Sequence, residues 1–338
     1  MKIFENYCLK ENNTFKIRVV ADRFIEYDSD DDIIQFLQSN EKLLEDKFLV
    51  LGEGSNILFT DNFKGTIFHP ATKKIEVEQE LDNNVIVRVS AGLIWDDFVA
   101  WTINNNYYGL ENLSLIPGTV GAAAVQNIGA YGSEAGNFID SVTYYDLRDK
   151  SVVTLSCKEC EFGYRCSIFK TALKNRIIIM SVKFCLNKFP ALNTDYADIK
   201  NFFGTKTDIN PLELRNAVIQ IRNNKLPDPK IIGNAGSFFK NPVVNKVKFD
   251  SLLLEFPDLR YYIVNDNNYK LAAGWMIDKC GLKGFEKNGV AVHEKQALVI
   301  VNKTGNVSGH DIVKFSEYIQ NKVFELFKVR LEPEVIFV

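Results

Sequence analysis

The chain has few histidines, and none of its apolar runs is long. His69, His293 and His310 stand far apart in 338 residues. The single Cys157-x-x-Cys160 pair has neither a second pair nor a nearby histidine to complete a zinc site, so no metal is expected. Six cysteines, at 8, 157, 160, 166, 185 and 280, are too few and too scattered for a disulfide framework in a chain of this size. A reducing cytoplasm is the expected location. No apolar run approaches the roughly 20 residues of a membrane span. The opening Met-Lys-Ile-Phe-Glu-Asn lacks the apolar core of a secretion signal. The net charge is only -3, which gives no reason to expect nucleic acid or an anionic membrane as a partner. Internal repeats and low-complexity tracts are missing too, and nothing points to an obligatory protein partner.

What is present is core-forming material. With 46% hydrophobic and 25% charged residues, the chain can build large cores, organised as two or three domains. Asp30 to Lys47 begins with acidic residues and carries apolar residues at helical spacing, which predicts an amphipathic helix. Phe48 to Leu51 then reads as a short strand, with further strands at 75–79, 85–91 and 176–186. Trp95 to Asn106 predicts a helix that buries Trp95, Phe98, Val99 and Ile103. Asn210 and Pro211 supply an N-cap and a first helical residue for a helix to about Asn223. Lys225-Leu-Pro-Asp-Pro229 ends that helix and looks like the entry to another domain. Helices near 247–256, 272–280 and 308–328, with strands near 290 and 297–302, make the C-terminal part α+β. Leu331-Glu-Pro-Glu-Val335 turns into a last short strand.

Three glycine-bearing segments are candidates for chemistry. Gly52-Glu53-Gly54-Ser55-Asn56 interrupts two strand segments, since Ile57-Leu58-Phe59 continues as strand. A phosphate held there would meet successive loop N–H groups, not a helix terminus. Taken alone, the loop also reads as a plain β-turn. The run from Gly109 to Gly132 is dense in glycine and alanine and suits backbone laid against something planar and rigid; a tight small-residue helix fits Pro117 and the interspersed glycines poorly. In Gly233-Asn-Ala-Gly-Ser237-Phe-Phe-Lys-Asn-Pro242, a small hydroxyl stands among residues with little bulk.

Taken together, these and four other segments resemble the UDP-N-acetylenolpyruvoylglucosamine reductase (UDP-N-acetylmuramate dehydrogenase) family. The eight segments are Leu-Gly-Glu-Gly-Ser-Asn (51–56), Leu-Ile-Pro-Gly (115–118), Gln-Asn-Ile-Gly-Ala-Tyr-Gly (126–132), Glu-Cys-Glu-Phe-Gly-Tyr-Arg (159–165), Lys-Leu-Pro-Asp-Pro-Lys (225–230), Gly-Asn-Ala-Gly-Ser-Phe-Phe-Lys-Asn-Pro (233–242), Ala-Ala-Gly-Trp (272–275) and Leu-Glu-Pro-Glu-Val (331–335). The resemblance runs from Asn13-Thr14-Phe15 to Glu334. It implies an α+β architecture: a two-subdomain FAD-binding fold of the vanillyl-alcohol-oxidase-like type over 1–68 and 69–208, a third substrate-binding domain over 209–322, and a return segment over 323–338 that carries Glu334. It also implies noncovalent FAD, NADPH as reductant and UDP-N-acetylglucosamine enolpyruvate as substrate, reduced to UDP-N-acetylmuramate in peptidoglycan synthesis.

The same resemblance implies the site residues. FAD would be held by Gly52, Glu53, Gly54, Ser55, Asn56, Pro117, Gly118, Gly121, Ala122, Val125 and Gln126. Hydride addition to a conjugated enol ether places charge on the adjacent carbon and its carboxylate, and a catalyst must stabilise that charge in the transition state. Arg165 offers a planar fork suited to a carboxylate. Glu334 would act in its protonated form, because an ionised carboxylate beside an enolate opposes the reaction. Ser237 would deliver the proton to the carbanionic carbon, a role that needs fixed geometry because serine is a weak acid. Tyr196, Lys225, Asn241 and Gln296 would grip the substrate. Tyr196 argues for the longer of the family's two forms, in which a tyrosine loop closes over the substrate.

Three positions depart from the family pattern. Cys166 stands where an aspartate is familiar, which removes a possible orienting partner for Arg165. Ala122-Ala123-Ala124 replaces a more polar run. Ile336 stands where an arginine is common. Two other readings remain at this point: an FAD-dependent sugar or alcohol oxidase of the same fold, and a UDP-sugar-binding module without catalysis.

Overall fold

The computed structural model describes residues 1–40, 43 and 47–338. The chain divides into two compact units, one made of Met1–Tyr7, Ala21–Glu53 and Lys64–Asn224, the other of Cys8–Val20, Gly54–Phe63 and Lys225–Val338. One of the crossings from unit to unit falls inside the Gly52–Asn56 loop.

In the first unit, the expected N-terminal helix forms as α1 (Asp30–Ser39). Ser29 caps it by accepting from the amide of Asp32, and three aspartates in the first turn complement the helix dipole. Ile33 and Leu37 are its buried residues. The helix stops earlier than the apolar spacing suggests. Asn40 leaves the helical conformation and turns its own amide and side chain back onto Leu37 and Phe36. Residues 41, 42 and 44–46 of the expected helix lie outside the described residues. A four-stranded sheet runs in the order Lys2–Cys8, Val20–Tyr27, Phe63–Pro70, Phe48–Val50.

A five-stranded antiparallel sheet in the same unit runs Ser151–Ser156, Ile139–Asp146, Ile177–Asn187, Asn84–Ser90, Ile75–Glu80. Val85, Val87 and Val89 alternate inward along one strand and Val182, Phe184 and Leu186 along its neighbour. Against them pack Trp95, Phe98, Val99 and Ile103 of α2 (Trp95–Asn104), the face expected from the spacing. The small-residue run is where expectation and structure differ. It contains α3 (Val120–Gln126), which puts Val120, Ala123 and Ala124 into the same core. A Cβ on Gly121 would fall 2.8 Å from the Cβ of Ala91, closer than real carbons approach. The smallness of this run therefore lets a helix lie directly on a sheet, and Pro117 is no obstacle because it precedes the helix. Two further helices complete the unit, α4 (Ala197–Phe203) and α5 (Pro211–Lys225), the second ending at the unit boundary. Asn210 caps α5 reciprocally with Glu213, each side chain accepting from the other's amide.

The second unit is also α+β. Its four-stranded sheet runs Gly233–Ser237, Val299–Asn302, Val290–Val292, Glu286–Lys287, and a three-stranded sheet runs Val243–Asn245, Asn268–Leu271, Tyr261–Asn265. The helices are α6 (Lys246–Glu255), α7 (Ala273–Lys279) and α8 (Gly309–Phe327), the last with a Ser308–Asp311 capping box. The final strand, Ile336–Phe337, pairs in parallel with Ile57–Leu58.

Candidate active site

Glycine is required in the Gly52–Asn56 loop for steric reasons. Gly54 has φ of +63°, and a Cβ there would lie 2.2 Å from the carbonyl oxygen of Asn12. Its own carbonyl accepts from the amide of Thr14, and that of Asn56 accepts from Ile336. Glu53 looks out of place beside a diphosphate. Its carboxylate, however, accepts from the amide of Gly118 at 2.6 Å, so this negative charge fastens the Leu115–Gly118 turn.

That turn is held at several points. The carbonyl of Gly118 accepts from Trp95, and the amides of Val120 and Gly121 donate to Leu93 and Ala91. Thr119 caps α3 with its hydroxyl, which accepts from the amide of Ala122. Ala122 is exposed, whereas Ala123 and Ala124 are core. Val125 packs partly into that core, and its carbonyl accepts from Ser167 Oγ. Gln126 accepts from Lys170 Nζ at 2.9 Å. Upstream, the carboxyl of Glu111 is 2% exposed and accepts from the amide of Gly109. Burial pushes its pKa up, against the opposing pull of backbone hydrogen bonds.

Arg165 sits in the left-handed region at φ of +54°. Its Nη2 donates to the carbonyl of Gly129 at 2.6 Å, and its Nη1 reaches the carbonyl of Asn127 at 3.5 Å. Lys170 holds the carbonyl of Arg165 itself. The Gln126–Gly132 segment therefore orients the guanidinium through its main chain. Gly129 has to be small, since a Cβ there would meet the backbone carbonyl oxygen of Ser133 as well as Arg165 Nη1 at 2.9 Å. Asn127 supports the arrangement: its Nδ2 donates to Glu134 and to the carbonyl of Gly163, and its Oδ1 accepts from Gly136. Tyr196 precedes α4 and meets the ring of Tyr131 edge-on at 5.4 Å.

In the second unit, Ser237 ends a bulged strand. Asn234 faces Val301 and Ser237 faces Val299, so the Gly233 strand carries one extra residue between those pairs. Gly236 takes up the bend with φ of +68°, and Asn234 Oδ1 accepts from its amide. Asn234 also donates to the carbonyls of Pro227 and Ile232. Ser237 is exposed while Phe238 and Phe239 are fully buried. The bulge thus presents a hydroxyl on a rigidly anchored strand end.

Glu334 is fixed at both its backbone groups. Its amide donates to the carbonyl of Phe238 at 2.8 Å, and its carbonyl accepts from Asn56 Nδ2 at 3.2 Å. Phe239 bridges Pro333, and the amide of Lys240 donates to Glu332. Glu332 is an exposed side chain near Lys240 at 3.6 Å, whereas Glu334 is half-buried. Ile336 contributes its amide to Asn56 and its strand register to Ile57, so this position works through the main chain.

Asn241 Oδ1 accepts from the amide of Ala273 at 3.0 Å, which closes the start of α7 and leaves the side-chain N–H groups for other partners. Gln296 Oε1 accepts from Leu298, and a Cβ on Gly274 would meet that oxygen at 3.2 Å. Lys225 is the last residue of α5. Arg165 and Tyr196 belong to the first unit, and Ser237, Glu334, Asn241 and Gln296 to the second. Sequence reasoning passed over the supports: Asn234, Asn127 and Lys170 lie inside or beside the quoted motifs, where an amide or ammonium among glycines could have signalled backbone bracing.

Residues 21–156 match the model of an FAD binding domain, and residues 228–338 match that of the C-terminal domain of UDP-N-acetylenolpyruvoylglucosamine reductase. The fold and these matches define a protein with an FAD-binding domain joined to a reductase C-terminal domain. UDP-N-acetylenolpyruvoylglucosamine reductase of Bacteroides fragilis is 41% identical over 99% of both chains. That of Photobacterium profundum is 44% identical over 100% of this chain and 96% of its own, and that of Neisseria gonorrhoeae 45% over 95% and 93%. The crystal structure of UDP-N-acetylenolpyruvylglucosamine reductase from Thermus caldophilus shares the fold, with a TM-score of 0.69 at 20% identity over 99% of this chain and 98% of that one. The chain belongs to the UDP-N-acetylenolpyruvoylglucosamine reductase family.

Proposed function

We propose that this chain is an oxidoreductase that uses FAD and NADPH to reduce UDP-N-acetylglucosamine enolpyruvate to UDP-N-acetylmuramate, an early cytoplasmic step of peptidoglycan synthesis. Residues 1–68 and 69–208 are the two flavin-holding subdomains, 209–322 the substrate domain, and 323–338 the return that brings in Glu334. The residues fit a noncovalent flavin: the Gly52–Asn56 loop offers N–H groups, and its one carboxylate is engaged by Gly118. Gly52, Gly54, Ser55 and Asn56, with Pro117, Gly118, Gly121, Ala122, Val125 and Gln126, are the holding residues. FAD held there would supply the redox chemistry, passing the reducing equivalents of NADPH to the enolpyruvyl group.

Everything else falls to side chains. Arg165 faces the substrate carboxylate with a fork already oriented by main-chain carbonyls, which lowers the reorganisation needed as charge develops. Glu334, protonated, donates a hydrogen bond to the same developing charge. Ser237 delivers a proton to the adjacent carbon from one face. Lys225, with Tyr196, Asn241 and Gln296, binds the diphosphate and nucleotide end. The observation that carries this reading is the bulged Ser237 strand with Glu334 hydrogen-bonded to the very next residue, Phe238.

Anaerobic mixing of the purified protein with NADPH, then with the enolpyruvyl sugar, tests it by flavin absorbance. Bleaching followed by recovery on the sugar is the expected result. Recovery with oxygen alone would overturn the substrate assignment, and a protein that takes up no FAD would overturn the whole proposal.

A further inference from the structure

Asp96 lies in none of the eight segments that carry the family resemblance, yet three hydrogen bonds converge on it. Its Oδ1 accepts from the amide of Leu115 at 2.5 Å and from Arg215 Nη1 at 2.7 Å, and its Oδ2 accepts from Arg215 Nη2 at 3.0 Å. Leu115 opens the Leu-Ile-Pro-Gly turn with φ of +58°. A residue with a Cβ keeps that conformation only where its surroundings over-determine it. Arg215 belongs to α5, the helix that ends in Lys225. The pair is bidentate, with side chains 12% and 24% exposed, so water screens it far less than an open surface pair.

A second basic residue of the same helix, Arg222, lies two turns beyond Arg215 on the same face. The carbonyl of Tyr131 is held by Asn112 Nδ2 at 2.9 Å. Burial pushes the pKa of Arg222 down, while the nearby Tyr131 and Asp96 oppose that shift. The Leu115–Gly118 turn is therefore fastened to this helix through Asp96 and Arg215.

We infer that Asp96 is a positioning residue that locks the Leu115–Gly118 turn to the helix ending in Lys225, so that affinity for FAD and affinity for the UDP-sugar both depend on the Asp96–Arg215 pair. This rests on the flavin reading of that turn. It assigns Asp96 no contact with either ligand. Arg215 acts by holding the carboxylate that holds Leu115 in its left-handed conformation.

The test is FAD titration of the apoprotein, followed by flavin fluorescence, together with kcat, KM for the enolpyruvyl sugar, and Tm. Wild type, Arg215→Gln, Arg215→Lys, Asp96→Asn and the Asp96→Asn/Arg215→Gln double variant are compared. Arg215→Gln is expected to raise the Kd for FAD about tenfold, the factor that corresponds to 1.4 kcal/mol, and to raise KM more than it lowers kcat. Arg215→Lys keeps the charge but not the fork and should recover part of the loss; it carries the test if Arg215→Gln does not fold. The double variant should cost less than the sum of the single changes. A lowered Tm with unchanged Kd and KM in these variants would reduce the pair to ordinary scaffolding and overturn the inference. A wild-type apoprotein that binds no FAD would overturn the flavin reading and this inference with it.

Discussion

The main-chain amide of Glu334 donates to the carbonyl of Phe238 over 2.8 Å. Phe238 follows Ser237, so the C-terminal return is laid along the strand end that carries the candidate proton donor. The carbonyl of Glu334 accepts from Asn56, and its side chain therefore leaves a backbone fixed on both sides. A carboxyl and a hydroxyl from opposite ends of the C-terminal unit's sequence are in this way placed by bonds to the backbone of Glu334, one from the main chain and one from the Asn56 side chain.

Ser237→Ala should leave flavin bleaching by NADPH nearly intact and slow reoxidation by the enolpyruvyl sugar, by roughly 10²–10⁴-fold if proton delivery is its role. Stopped-flow absorbance resolves the two half-reactions. Equal slowing of both would remove Ser237 from proton transfer.

Glu334→Gln keeps a hydrogen-bond donor, whereas Glu334→Ala removes it. If the group works protonated, the Ala variant should lose roughly 10²–10³-fold in kcat, as for an oxyanion-stabilising donor, and the Gln variant much less. A Gln variant as slow as the Ala variant in steady-state turnover would count against a donating Glu334.

Gly54→Ala meets two obstacles: φ of +63° and a carbonyl oxygen 2.2 Å from the new Cβ. The backbone of Asn12 cannot rotate away as a side-chain tip would. A loss of at least about 2 kcal/mol in stability is expected, together with weaker FAD uptake. Thermal melts of the apoprotein with a parallel FAD titration check both, and an unchanged melt would mean the loop tolerates another backbone path.

Asp30, in the first turn of α1, has its pKa pushed up to about 6, chiefly by burial, with Arg88 opposing, Asp31 adding to the rise and Lys74 opposing. An unfolded aspartate titrates near 3.9. The folded state therefore binds this proton more tightly, and the associated stability is complete below about pH 4 and lost as pH rises through about 6. Two pH units correspond to at most about 3 kcal/mol, less because the group is partly wetted. Asp30→Asn should raise Tm at pH 8, offset by about 0.5 kcal/mol of lost helix-dipole interaction, and should do little at pH 4. Melting curves at both values test this, and an equal shift at the two would assign the effect to something other than titration.

Much of the fold could be read from spacing. The buried face of α2, the Asn210–Pro211 start of α5 and the strand at 177–187 all follow from local periodicity and capping chemistry, which act over a few residues. The end of α1 could not be read so easily, because Asn40 stops the helix with two hydrogen bonds that compete with an otherwise suitable apolar spacing. The small-residue run was misread for a related reason. Alanine favours a helix and glycine opposes it, so the mixed run carries no single local preference, and the closeness of Ala91 to Gly121 shows the helix-on-sheet packing.

The candidate site divides along the same line. The family resemblance of the eight segments singled out Ser237, Arg165 and Glu334. What orients Arg165 was not written there. The carbonyls of Gly129 and Asn127 are among its partners, and a carbonyl is a group that every residue possesses and no sequence pattern advertises. The Asp96–Arg215 pair likewise joins two helices whose spacing in sequence carries no signal. Local chemistry, set by residue type at short range, was determined by the sequence itself. Which main-chain groups meet across long separations was decided only by the tertiary structure, since such bonds depend on where the backbone goes and not on which side chains it bears.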